Sequence, residues 1–197
     1  YIQVPDMTME SGSTEQMVQW GDEVFVNCWS YDDKILVVDA ARETLVDSIE
    51  VGPQPSSLVL DRFGKLWTVT DGRTAGIPAA LYRIDAATRR IEQTYTFAAG
   101  DHPSSVTLNG TRDTLYFINR DVWRMRVDAE ELPVTPFLPY TQTTYYEVAV
   151  DPLTSEVYVA DAIDYVQHGV VYRFTARGAA VDTIRVGITP GSFCFKP

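Results

Sequence analysis

Apolar and polar positions alternate over short stretches along the whole chain, and the same short pattern returns every forty-odd residues. Leu58-Val59-Leu60-Asp61, Val106-Thr107-Leu108-Asn109 and Val148-Ala149-Val150-Asp151 each place two apolar residues around one position and close on an acid or amide. Phe193-Cys194-Phe195 continues the series, and Met17-Val18-Gln19 is a weaker first member. A period in the forties built only of β-type segments is the signature of propeller blades.

Each period divides in the same way. A turn follows the short segment (Arg62-Phe63-Gly64, Gly110-Thr111-Arg112, Pro152-Leu153-Thr154). Next comes a stretch apolar on both faces: Glu23–Trp29, Lys65–Thr70, Thr114–Asn119 and Glu156–Asp161. A strand apolar on both sides has to be covered on both sides, as in stacked blades. The third strand spans Ile35–Asp39, Leu81–Asp85, Val122–Val127 and Val170–Phe174. Several third strands end in an aspartate suited to cap a tight turn. The fourth (Leu45–Val51, Arg90–Tyr95, Ala180–Val186) alternates and is more polar, as a half-solvated outer edge should be. No window carries the i, i+3, i+4, i+7 stripe of a helix.

The prediction is an all-β chain, a β-propeller of four-stranded antiparallel blades with about four blades present. The blades fall at 17–56, 57–104, 105–146 and 147–191, with 1–5 and 192–197 as strands of incomplete blades. Those end segments predict a fragment of a six- to eight-bladed ring, seven fitting best, with a closed four-bladed ring as the alternative. Such a fragment is expected to self-associate through open blade edges. The third blade departs most, with Pro133, Pro136 and Pro139 where an outer strand should run.

Composition narrows the function. The chain has 197 residues, 45% of them hydrophobic, and a net charge of −11. That charge repels phosphate backbones and anionic lipid, so no nucleic-acid partner is expected. No apolar run approaches the roughly 18–20 residues of a membrane-spanning helix. The sequence starts at Tyr1 rather than Met, and any targeting segment is expected to have been removed or to lie outside it. Cys28 and Cys194 stand among apolar neighbours without metal-ligand spacing, and both are expected to be buried thiols.

Ile35-Leu36-Val37-Val38-Asp39 through Glu50-Val51-Gly52-Pro53-Gln54-Pro55-Ser56-Ser57-Leu58 resembles the YVTN-type propeller repeat: an apolar strand ending in Asp, a polar turn, a strand ending in Val-Gly, then Pro. Gly64–Thr70 and Ser155–Ala160 resemble its next strand, Val186-Gly187-Ile188-Thr189-Pro190 repeats the Val-Gly-Pro signature, and Gly100–Ser105 is a looser copy. Ser13–Val18 followed by Phe25–Tyr31 is similar to the surface-layer-type propellers of Bacteroides-like bacteria. That resemblance implies an exported lipoprotein at the cell surface or in the periplasm. It also implies capture of a small ligand, a corrinoid such as cobalamin in some members, and delivery to an outer-membrane transporter.

Loops between second and third strands, and those between blades, are predicted to share one end of a propeller, where ligands bind. This set holds Trp29, Tyr31, Asp32, Asp71, Arg73, His102, Asn119, Arg120, Tyr145, Tyr146, Asp161, Asp164 and Tyr165. Aromatics mixed with Asp and Arg suit a large amphipathic ligand; polar loops in an aromatic-rich β protein give the same pattern. Asp71 and Asp161 hold equivalent strand-end positions, which Asn27 and Asn119 fill elsewhere. A carboxylate ring around a channel is one reading; His102 and His168 show no ligand spacing. No cofactor and no catalytic residue are expected: Ser56-Ser57 and Ser104-Ser105 recur by position, which suits hydroxyls bonding the turn backbone. Asn109-Gly110-Thr111 fits a glycosylation sequon and, better, a hairpin turn. Asp47-Ser48-Ile49 and Asp182-Thr183-Ile184 match a short O-glycan acceptor pattern.

Three functions follow. The first is a non-enzymatic envelope binding protein for a small ligand. The second is a protein- or glycan-interaction scaffold, and the third a lactonase-type hydrolase using a divalent cation.

Overall fold

The computed structural model describes residues 14–29, 33–74, 76–140 and 144–196. Its described residues form fifteen strands and no helix. They fall into two compact units, one ending at Ser104 and the other starting at Ser105. The expected strand at 1–5 lies outside the described residues.

The first unit holds two sheets. β1 (Thr14–Trp20), β2 (Glu23–Cys28), β3 (Lys34–Asp39) and β4 (Thr44–Glu50) form one antiparallel meander in chain order. β5 (Val59–Leu60), β6 (Lys65–Val69), β7 (Ala80–Asp85) and β8 (Arg90–Thr96) form the next. Phe25, Ile35 and Val37 of the first sheet share one buried cluster with Leu58, Leu66 and Ile84 of the second. Burial of each such side chain stabilises by about 1.5–3 kcal/mol, which is why the second strand of each period is apolar on both faces.

Aspartates at strand ends shape the turns. Asp61 is buried; its Oδ1 accepts the N–H groups of Phe63 and Lys65, and its Oδ2 accepts the indole N–H of Trp67 at 2.9 Å. Asp39 and Asp85 close the third-strand hairpins in the expected way, accepting from Ala41 and Arg42 and from Thr88 respectively.

In the second unit, β12 (Tyr145–Val150), β13 (Val157–Asp161), β14 (His168–Phe174) and β15 (Ala180–Ile188) form a four-stranded meander. The preceding sheet has three strands: β9 (Ser104–Leu108), β10 (Thr114–Asn119) and β11 (Asp121–Arg126). Its fourth strand is reduced to one bridge, Val122 to Leu138. Pro133, Pro136 and Pro139 lack the N–H that a ladder needs, so a continuous outer strand cannot form there. Tyr116, Ile118 and Val122 pack with Leu138, Val148, Val150, Val157 and Val159.

Two further expectations differ. Residues 191–196 form no strand; Phe193 and Phe195 lean on the ring of Tyr158 instead, with centroids 6.2 and 5.4 Å away. Cys28 is buried, whereas Cys194 is exposed because its segment lacks the covering layer that a strand in a sheet would have. The Asn109 side chain is engaged in its hairpin. Its Oδ1 accepts from Asp113 and Thr114, and its Nδ2 donates to Thr111 Oγ1.

Candidate functional site

An antiparallel meander brings the second-to-third hairpin and the entry to the first strand to the same end of its sheet. The candidate residues sort along that end of each unit, and the two units are taken in turn.

In the first unit, Tyr31 and Asp32 lie outside the described residues. Trp29 is half-buried just past β2. Asp71, Arg73 and His102 come together. Asp71 is 7% exposed; its Oδ1 accepts the Arg73 N–H at 2.9 Å, and its Oδ2 stands 3.5 Å from Arg73 Nε. The Gln54 amide, oriented with its nitrogen toward Asp71, donates to both carboxylate oxygens at 3.0 and 3.1 Å. His102 Nδ1 lies 2.8 Å from the Asp71 carbonyl oxygen, which makes it the donor of that bond. Asp71 is thus held on every side by its own loops. Asn27, at the like position of the first sheet, accepts from Gln16 N–H and donates to the Pro55 carbonyl. Gln54 could have been noticed from its Pro-Gln-Pro setting, which aims one amide between two rigid residues.

In the second unit, Asp161 is 2% exposed and equally engaged. Its Oδ1 accepts from Thr144 and Ile163 N–H at 3.0 and 2.8 Å, and its Oδ2 accepts the Tyr172 hydroxyl at 3.2 Å. Burial, reinforced by the Asp161 charge, pushes the Tyr172 hydroxyl above its ordinary value. Asp164 is exposed, and backbone N–H bonds from Gln167 and Val166 hold its carboxyl below the usual range. Among the described residues no group of three or more His, Cys, Asp and Glu is placed to hold a metal ion.

Of the remaining candidates, Arg120, Tyr146 and Tyr165 are exposed and Asn119 and Tyr145 are half-buried. Arg120 is the single residue between β10 and β11, at φ 61°, and its guanidinium lies over the Tyr140 ring with 4.6 Å to the centroid. Asn119 and Asp121 fix that hairpin: the Asn119 carbonyl accepts the Trp123 indole N–H at 3.1 Å, and Asp121 Oδ1 accepts the Tyr140 N–H at 2.7 Å. Tyr145 OH reaches the Pro139 carbonyl at 3.5 Å. Tyr146 and Tyr165 meet edge to face at 5.8 Å, with 39% and 52% of their surfaces exposed. Ile163 and Tyr165 hold φ of 56° and 64°, left-handed values uncommon outside glycine and frequent at binding loops. Tyr140 was missed in the sequence, although Pro139-Tyr140 follows the broken outer segment at the same sheet end as Arg120.

A family model described as a domain of unknown function, DUF5074, matches residues 5–192. The chain belongs to the DUF5074 family. No curated protein matches this DUF5074 chain. Among solved structures it is similar to hydrazine synthase of Kuenenia stuttgartiensis, with TM-score 0.71 at 14% identity over 95% of this chain and 53% of that one. A quinoprotein alcohol dehydrogenase-like protein of Bacteroides thetaiotaomicron gives 0.66 at 15% identity, over 87% of this chain and 45% of the other. A chain of the mitotic checkpoint complex gives 0.67 at 16% identity, over 91% and 53%. The DUF5074 chain therefore spans about half the length of these structures. Likeness at such low identity shows the fold, which is of the β-propeller type, and carries no chemistry across.

Proposed function

We propose that this chain is a non-enzymatic binding protein of the cell envelope. It offers the loop-bearing end of its blades to a large amphipathic ligand of the corrinoid type and passes it to an outer-membrane transporter. The observation that carries the reading is the division among the candidate residues. Asp71 and Asp161 are buried and hold their own loops together. Arg120, Tyr146 and Tyr165 stand exposed at the loop end of the second unit. A general acid or base has to change partners during a reaction, which a carboxylate fastened by several loop donors does poorly. Exposed tyrosines supply flat, rigid contact at low entropic cost, as a binding surface requires. The envelope location and the hand-over follow the surface-layer-type resemblance of Ser13–Val18 and Phe25–Tyr31. Calorimetric titration with cyanocobalamin tests the reading: saturable binding in the micromolar range supports it, and no heat there removes the corrinoid.

The same tyrosines favour a second reading, an envelope scaffold that engages glycans or protein loops. It predicts partners recovered by cross-linking in envelope preparations and no thermal shift with corrinoids.

A further inference from the structure

We infer that Arg120 is the anion-recognition point of the loop end of the second unit. The ligand there carries a carboxylate or phosphate on a ring-bearing body whose faces rest on Tyr146 and Tyr165. The inference rests on the binding-protein reading and specifies the chemistry of its ligand.

Most arginines of that unit that meet a ring or a carboxylate are already engaged. Arg126 pairs with Asp128 at 2.6 Å, Arg173 with Glu156 at 2.7 Å, and Arg124 donates to the Ala176 carbonyl at 3.0 Å. Each spends guanidinium N–H groups on a protein acceptor, Arg124 while also lying over the Phe137 ring at 4.3 Å. Among the described residues, Arg112, Arg177 and Arg185 stand over no ring, whereas Arg120 lies over Tyr140, 4.6 Å from the centroid, and gives its guanidinium to no protein acceptor. A cation–π contact leaves the N–H donors of the guanidinium without an acceptor of their own, and their fork geometry matches a carboxylate or phosphate. The adjacent carboxylate of Asp121 is turned to the Tyr140 N–H, which its Oδ1 accepts, and forms no ion pair with Arg120. In a chain of net charge −11, an arginine held this way offers a local attraction for an anion that the rest of the surface repels.

The position is also fixed in advance. Arg120 keeps a left-handed backbone, φ 61°, between two strand ends that are both held: the Asn119 carbonyl accepts from the Trp123 indole and Asp121 Oδ1 accepts from the Tyr140 N–H. Backbone strain of this sort is retained where the surroundings impose it. The Tyr145 hydroxyl links the Pro139-Tyr140 segment to the start of β12, next to the Tyr146–Tyr165 pair. The cation and the aromatic pair thus stand at the like ends of two sheets that share one core, suited to the charged and the flat part of a single molecule.

Paired probes test this. Cyanocobalamin, which carries a phosphodiester, is compared with dicyanocobinamide, which lacks it; trigalacturonate is compared with its neutral galactose trimer. The expected result is that the member of a pair that carries the phosphodiester or the carboxylates binds about tenfold or more tightly than the one that lacks them. Arg120→Gln abolishes that ratio, raised salt reduces it, and Tyr165→Ala weakens both members alike. Arg120 is exposed, so its substitution leaves the fold intact by circular dichroism. Binding with no preference within a pair, or a preference unchanged in Arg120→Gln, overturns the inference and leaves the binding-protein reading standing. Failure of all four probes to bind the intact chain overturns both.

Discussion

The Ser105 hydroxyl accepts the backbone N–H of Val148 at 2.9 Å, joining the inner strand of one sheet to that of the next. The same relation appears in the first unit, where Gln16 Oε1 accepts the Leu58 N–H at 3.0 Å. In both places the residue just before an inner-strand anchor reaches the N–H of the following anchor. Replacing Ser105 by Ala orphans a buried donor. The expected cost is about 1–3 kcal/mol, read as a lower urea midpoint with an unchanged slope, followed by Trp123 fluorescence.

Ser105 Oγ also donates to Glu147 Oε1 at 2.6 Å. Burial raises the Glu147 carboxyl above its ordinary value, against the lowering effect of the Ser105 bond. The folded state therefore holds a proton that the unfolded chain has already released, and stability falls as pH rises from the ordinary carboxyl range through the raised value. Glu147→Gln removes this loss. The variant should match or exceed the wild type at neutral pH, and its advantage should disappear below about pH 4. An advantage that persists unchanged at acid pH speaks against the assignment.

Asp85 behaves in the opposite sense. Lys65 Nζ lies 2.5 Å from its Oδ2, and with the Thr88 donors on Oδ1 this lowers the carboxyl from 3.8 to about 2. A depressed carboxyl stabilises the fold above its unfolded value, and that contribution is lost as pH falls from about 4 toward 2. Acid titration of stability should be shallower in Asp85→Asn than in the wild type across that window. Equal slopes would contradict it.

Gly110 sits against the backbone of the next sheet: a Cβ there would stand 1.8 Å from the Pro152 carbonyl oxygen. Gly110→Ala must move main chain, and a loss above about 2 kcal/mol is expected. Gly100, at φ 88° with open space around it, provides the comparison. Gly100→Ala should cost only the left-handed penalty of about 1–2 kcal/mol. Thermal unfolding of the two variants gives the order directly.

Most of the strand pattern was legible because each second strand is apolar on both faces; Leu66-Trp67 and Tyr116-Phe117 are all buried. Asp39 and Asp85 announced their turns for the same local reason, a short carboxylate beside free N–H groups. The proline-rich outer segment of the third period was visible as an anomaly, but the single Val122–Leu138 bridge that replaces the strand depends on tertiary packing. The role of Ser105 was misplaced by one step: the hydroxyl serves the next inner strand rather than its own turn, a contact 43 residues away along the chain. Asp71 and Asp161 looked available because sequence spacing does not show how many loop donors converge on a carboxylate. The pairing of Arg120 with Tyr140 was hidden for a related reason, since it joins a hairpin tip to a segment without regular structure.

Amide hydrogen exchange with and without a bound anionic probe tests the central claim most directly, because it locates the occupied surface residue by residue. The account predicts slowed exchange confined to 119–121, 139–140, 144–146 and 162–167, the loop end of the second unit. Slowing at the opposite hairpins, 110–113 and 152–155, would contradict it.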